Sequence, residues 1–136
     1  MNTRTFISLP LLLFLFTSCK ETKLKHEYRV KESVEIIAGE YTGTKGETEY
    51  TIKIKDIDVV ANSFTIENFA KEYKVKSTIE GDSIFIPSQR FSYYESHVTI
   101  FGKGKVAGDS LYLEYFSGGP QGQIEAKCIG VAERID

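Results

Sequence analysis

The sequence predicts an all-β antiparallel domain, a barrel or a sandwich, and three observations carry that expectation. From Val34 onward apolar and polar residues alternate with a period of two, not 3.6. The alternating runs are about ten residues apart and are punctuated by glycine-containing turns. The chain carries 8 Tyr, 9 Phe and no Trp, a composition suited to pleated, half-buried surfaces. Its 136 residues fit one domain. A hydrophobic content of 41% with 26% charged residues is globular, not disordered. With 17 basic and 19 acidic side chains the formal charge is −2, so no positive excess drives the protein onto nucleic acid.

The first element is a leader, expected over residues 1–18. Arg4 is the only charge before the apolar stretch Phe6–Phe16, which is shorter than the about 20 residues that a membrane-spanning helix needs. A positive start, a short apolar run and then small residues is the layout of a secretory signal. The run ends in Phe16-Thr17-Ser18-Cys19. This resembles the lipobox of bacterial lipoproteins, with Phe16 where Leu is usual, as in the looser lipoboxes of the Bacteroidota. The resemblance implies that Cys19 is acylated and becomes the mature N-terminus. The protein would then hang on a membrane, each buried CH₂ contributing about 0.8 kcal/mol. Lys20-Glu21 is not the Asp-type retention signal of the inner membrane, so the outer membrane is the expected site. The mixed Lys20-Glu21-Thr22-Lys23 leaves its facing side open. With Cys19 lipidated, Cys128 is the one remaining cysteine and no intramolecular disulfide forms.

The second element, residues 19–32, is expected to be the lipidated Cys19 followed by a solvated tether. Its charges, Lys20, Glu21, Lys23, Lys25, Glu27, Arg29, Lys31 and Glu32, leave little apolar surface to bury. The domain proper is expected over 33–136. Val34, Ile37 and Ala38 suit either a short helical turn closing one end or an extra strand. Strands follow from the alternation of Tyr50, Ile52 and Ile54; of Phe64 and Ile66; of Tyr73, Val75 and Ile79; of Ile84 and Ile86; of Val98 and Ile100; of Leu111, Leu113 and Tyr115; and of Ile124, Ala126 and Cys128. Gly81-Asp82 and Gly108-Asp109 supply the positive φ of tight hairpin turns. Pro87 is expected to end its strand, and Gly102 and Gly104 to mark a bulge or a tight bend.

Gly39-Glu40-Tyr41 resembles the Gly-x-Trp opening of the lipocalin and wider calycin barrels, with Tyr41 in the Trp position. That resemblance implies an up-and-down β-barrel of about eight strands, calycin-like. The chain as a whole is similar to small Bacteroidota outer-membrane lipoproteins that join a lipobox to such a domain.

Catalytic signatures are sparse. His26 lies on the tether, and His97, Ser96 and Glu95 are neighbours along a strand that do not converge on one point. No G-x-S-x-G or H-E-x-x-H pattern occurs. Cys128 has no second ligand nearby and is expected in the core; Asp56 and Asp58 offer too few oxygens for a cation. Gly102-Lys103-Gly104-Lys105 has no following helix to present backbone N–H groups to phosphate, so Lys103 and Lys105 are expected to protect a strand edge. No metal and no cofactor is therefore expected. One stretch has the composition of a recognition surface: Arg90, Phe91, Tyr93, Tyr94 and His97, where aromatic residues fall on both faces of a strand beside a guanidinium. The loop Ser117–Gly122 suits a lid at a barrel mouth.

The expectation is a non-enzymatic, lipid-anchored barrel of the cell envelope that binds a protein partner or serves an envelope role. The inward aromatic set Tyr50, Phe64, Tyr73 and Tyr115 favours a filled interior. A lipocalin-like carrier of a small apolar ligand is the alternative, followed by a small enzyme of unrecognised type.

Overall fold

The computed structural model describes residues 24–36, 43–119 and 123–135. They form eight strands: β1 Glu27–Ile36, β2 Gly43–Asp58, β3 Ser63–Phe69, β4 Tyr73–Glu80, β5 Ser83–Tyr93, β6 Ser96–Ala107, β7 Ser110–Gly118 and β8 Ile124–Arg134. Each strand pairs antiparallel with its neighbour in sequence, and β1 pairs with β8, so the sheet is a closed barrel in the order β1 to β8. The all-β, eight-stranded up-and-down barrel is the architecture expected.

The charged stretch that suggested a tether is in part this closing strand. From Glu27 the chain is β1, with Tyr28 and Val30 buried inside the barrel and Glu27, Arg29 and Lys31 on its outer side. The outer charges form cross-strand pairs, Lys53–Glu27 at 3.8 Å and Arg29–Glu49 at 3.4 Å. Exposed pairs of this kind contribute about 0–1 kcal/mol each, so they reward β1 for joining the wall without holding it there. The domain therefore begins before residue 33: Leu24 is buried in the core cluster, and the His26 carbonyl accepts from Ile54 N–H at 2.8 Å. Residues 1–18, Cys19 and the tether up to Lys23 lie outside the described residues. So do Ile37, Ala38 and Gly39-Glu40-Tyr41; Val34 belongs to β1.

The two ends of the barrel differ. At one end the turns are short. Gly81 and Gly108 adopt φ of 60° and 61° in the β4–β5 and β6–β7 turns, as two-residue hairpins demand of their first residue. Asp58 Oδ1 accepts from Val60 and Ala61 N–H, each at 3.0 Å, and caps the β2–β3 turn. Asp56 and Asp58 are thus exposed groups of a bulge and a turn. Leu24, Tyr28, Ile54, Phe64, Ile84, Val106, Leu111 and Ala132 fill the interior near this end. The other end carries the β1–β2, β3–β4, β5–β6 and β7–β8 connections, and there the described residues leave the interior open.

Two expectations about β5 and β6 are corrected. Pro87 does not end its strand. β5 runs through it with a register shift between Ile86 and Gln89, and a residue without an N–H is tolerated at such a bulge. Nor do Lys103 and Lys105 protect an edge, because β6 is paired on both sides, with β5 and β7. Gly102 and Gly104 serve close approach instead. A Cβ on Gly102 would lie 2.4 Å from Glu114 O and 2.6 Å from Tyr115 Cβ.

The β4–β5 ladder is the shortest around the barrel, joining only Thr78, Ile79 and Glu80 to Phe85, Ile84 and Ser83. Beyond it a side chain replaces the backbone. The Gln89 amide accepts from Lys76 N–H and donates to Lys76 O, both at 2.8 Å, with a further donation to Pro87 O at 3.0 Å.

Gly102→Ala is expected to lower unfolding free energy by about 1–3 kcal/mol, because the obstructing atoms are backbone and Cβ atoms that cannot swing aside. Urea denaturation measures it, and a loss under about 0.5 kcal/mol would show that β6 and β7 separate easily.

Candidate binding cup at the open end

The interior expected to be filled is filled over only half its depth. At the open end lies a cavity of about 600 Å³, within the usual range of small-molecule sites. Its walls come from every strand except β3 and β5, through Val34, Tyr73, Val98 and Ile100 among others, with Ala70 and Lys71 of the β3–β4 turn. Tyr50, Phe64, Tyr73 and Tyr115 face inward as expected, but Phe64 plugs the packed half while Tyr73 and Tyr115 line the open one.

A polar group forms the floor. Glu32 continues the inward alternation of Tyr28 and Val30, so its carboxyl is carried into the barrel and left 4% exposed. In register it stands beside Thr48 of β2 and Gly130 of β8, where the missing side chain leaves room. Its Oε1 accepts from both phenols, Tyr50 at 3.0 Å and Tyr115 at 2.5 Å. Three strands, β1, β2 and β7, are thus tied through one oxygen. Tyr115 is held in turn by Phe69, whose ring centroid lies 4.5 Å away.

Burial sets the proton affinities here. Desolvation raises the Glu32 carboxyl above the usual carboxylate range, against the opposing hydrogen bonds from Tyr115 and Tyr50 and the Lys71 charge. It also pushes both phenols well above their ordinary value, with the Glu32 charge acting in the same direction. Cys128, the buried free thiol beside them, is pushed up to about 11, chiefly by burial. Two phenols and a thiol therefore stay protonated at neutral pH, and Glu32 is the member of the group that exchanges a proton nearest to it. Among the described residues no cluster of His, Cys, Asp or Glu could hold a metal ion, and no helix is long and apolar enough to cross a membrane.

The recognition stretch expected at Arg90–His97 does not converge on this cup. Arg90 and His97 are exposed, and Tyr94 is 91% exposed at the tip of the β5–β6 turn. The side chain of Tyr93 lies outside the described residues. Among the described side chains of the stretch Phe91 turns inward, its ring tilted against that of the cavity residue Tyr73 with centroids 4.9 Å apart. Cys128 is buried as expected, but Ile124 is 41% exposed beyond a register shift at Ser117/Gly118. Glu32 was hidden from the sequence reading because its neighbours are charged. The available signal was the alternation Tyr28-x-Val30-x-Glu32-x-Val34, an acid in an inward position.

A second, shallower recess of about 360 Å³ lies against β6, β7 and β8, and Tyr112 and Ile129, each 49% exposed, are among the residues that line it. No protein-family model matches the chain, and no curated protein matches it.

Two outcomes follow from the floor. The folded state raises the Glu32 value above its unfolded one, so its stabilising share is complete below about pH 4 and is lost as pH rises through the raised value. Glu32→Gln keeps the acceptor and removes the titration. Its urea midpoint is expected to gain on the wild type as pH rises from about 4 through the raised Glu32 value and to run parallel to it above, whereas parallel curves throughout would mean that Glu32 is solvated. Cys128 at pH 7.5 is expected to react with a thiol reagent at least about a hundredfold slower in the folded protein than in urea, from the two-unit rise above an ordinary thiol.

Proposed function

We propose that this protein is a lipid-anchored, non-enzymatic binding protein of the bacterial outer membrane, and that its barrel holds one small molecule in the open half. The observation that carries this reading is the 600 Å³ cup, lined by apolar residues such as Val34, Val98 and Ile100 and by polar ones such as Thr48, Lys71 and Ser117, with Glu32 and its two phenol donors at the floor. A concave site of that size, with polar atoms placed at its floor, is how small-ligand sites orient their occupants. It favours the carrier over the partner-binding role expected from an interior assumed to be full. An enzymatic reading is less well supported. The phenols and the thiol are held protonated, which leaves Glu32 as the single group of the floor able to act as acid or base, without a partner to complete an acid–base pair. The anchor rests on Arg4, the apolar Phe6–Phe16 and the Phe16-Thr17-Ser18-Cys19 lipobox.

Partner binding remains a second reading because of the outer recess beside Tyr112 and Ile129, where aromatic and aliphatic surface is left in water.

Native mass spectrometry of the chain from Lys20 onward, which retains every strand, is expected to show a bound species released on denaturation. An empty protein that also takes up no amphiphile would overturn the carrier role. Cys19→Ala is expected to abolish palmitate labelling and to move the protein from the membrane to the soluble fraction; retained labelling would place the acyl group elsewhere.

A further inference from the structure

We infer that the cup selects amphiphiles whose head accepts hydrogen bonds and is neutral or anionic, taken head-first, with the Glu32 carboxyl at the floor and the Lys71 ammonium at the rim recognising that head. Single-chain carboxylic acids are the simplest class that fits. The inference rests on the carrier reading and specifies what is carried.

The argument begins with the two oxygens of Glu32. Both phenol donors converge on Oε1. Among the described residues Oε2 takes no hydrogen bond, so the carboxyl has one saturated oxygen and one that still needs a partner. That oxygen is not fully buried; it opens to the cup, where a ligand head can hydrogen-bond it. Burial favours the protonated carboxyl. Its proton then belongs on Oε2, since Oε1 already receives two hydrogens. The floor accordingly presents a donor. The hydroxyl of Thr48, another cavity residue and the register partner of Glu32, is likewise without a hydrogen-bond partner.

The rim supplies the second observation. The β3–β4 turn places three non-glycine residues in the left-handed region: Asn68 at φ 62°, Ala70 at 53° and Lys71 at 73°. Ala and Lys meet a steric penalty there that Gly would not, and such strain, held by the surrounding structure, accumulates where a side chain must be aimed. Ala70 and Lys71 both line the cavity, and the charge of Lys71 is felt at Glu32. Among the described residues the titratable groups facing Glu32 or lining the cup are Tyr50 of β2, Lys71 of the turn, Tyr73 of β4, Tyr115 of β7, and Cys128 and Glu125 of β8. Lys71 is the only cation in that set, and Glu125 is exposed. With Glu32 protonated, a cationic head would meet donors and a like charge, whereas a carboxylate would meet donors and an opposite one.

The test uses three probes with one chain length, dodecanoate, dodecanol and dodecylamine, titrated calorimetrically into residues 20–136. Dodecanoate is expected to bind at least about tenfold tighter than dodecylamine. Its affinity should fall as pH rises through the raised Glu32 value in the wild type and stay level in Glu32→Gln. Lys71→Met should weaken dodecanoate about fivefold and leave dodecanol unchanged. Tighter binding of dodecylamine, or a dodecanoate affinity indifferent to Lys71→Met and to pH, would overturn the head-group assignment while leaving the carrier reading intact. Failure of all three probes to bind a folded barrel, checked by circular dichroism, would overturn both.

Discussion

Closure of the sheet between β1 and β8 is the constraint on which the other features depend. The ladder runs from Tyr28↔Arg134 to Ile36↔Ala126, and it removes the last free edge of an eight-stranded antiparallel sheet. To make it, a strand whose outer face is crowded with charge must enter the wall. Once there, the two-residue period leaves no freedom: Tyr28 and Val30 point inward, and Glu32 has to follow them. The buried carboxyl is therefore a consequence of closure. Tyr50, Tyr115 and the absent side chain at Gly130 are what make it tolerable.

The interior divides because side-chain bulk is unevenly distributed along the axis. Near the short turns aromatic and aliphatic residues meet across the barrel, and Leu24 and Tyr28 complete the plug. Nearer the other end the side chains at the inward positions of Glu32, Val34, Thr48, Val98, Ser117 and Cys128 reach less far, and Tyr73 and Tyr115 line the space they leave. The polar trio at the boundary acts as a brace there. One carboxyl oxygen receives hydrogen bonds from strands on both sides of it, in a medium where each bond is stronger than in water and each omission more costly. Depth and rigidity of the open half are thus set by the same three residues.

Much of the barrel was legible in the sequence. The alternation at Tyr50–Ile54, Phe64–Ile66 and Leu111–Tyr115 identified inward faces correctly, and Gly81 and Gly108 marked turns whose φ only glycine adopts readily. What was not legible has physical causes. In β1 the outward charges outweighed two inward apolar residues, so period two was masked by composition. At Pro87 a local rule yielded to a bulge. The difference between a full and a half-empty interior depends on how residues from non-adjacent strands are staggered along the axis, which no local window contains. The cup residues Glu32 and Lys71 were missed for the same reason: one seemed solvated, and the other owes its position to a strained turn.

The Gln89 amide gives the wall an unequal character. Elsewhere the circumference is set by backbone ladders, whose spacing hardly varies. Between β4 and β5, above the pairs that end at Thr78↔Phe85, one side-chain amide spans the gap by holding both polar groups of Lys76. Those bonds face water, which competes for them, and local opening costs least where backbone pairing is thinnest. The girth of the vessel at the lip, beside the tilted ring pair of Tyr73 and Phe91, is thus regulated by a single buckle.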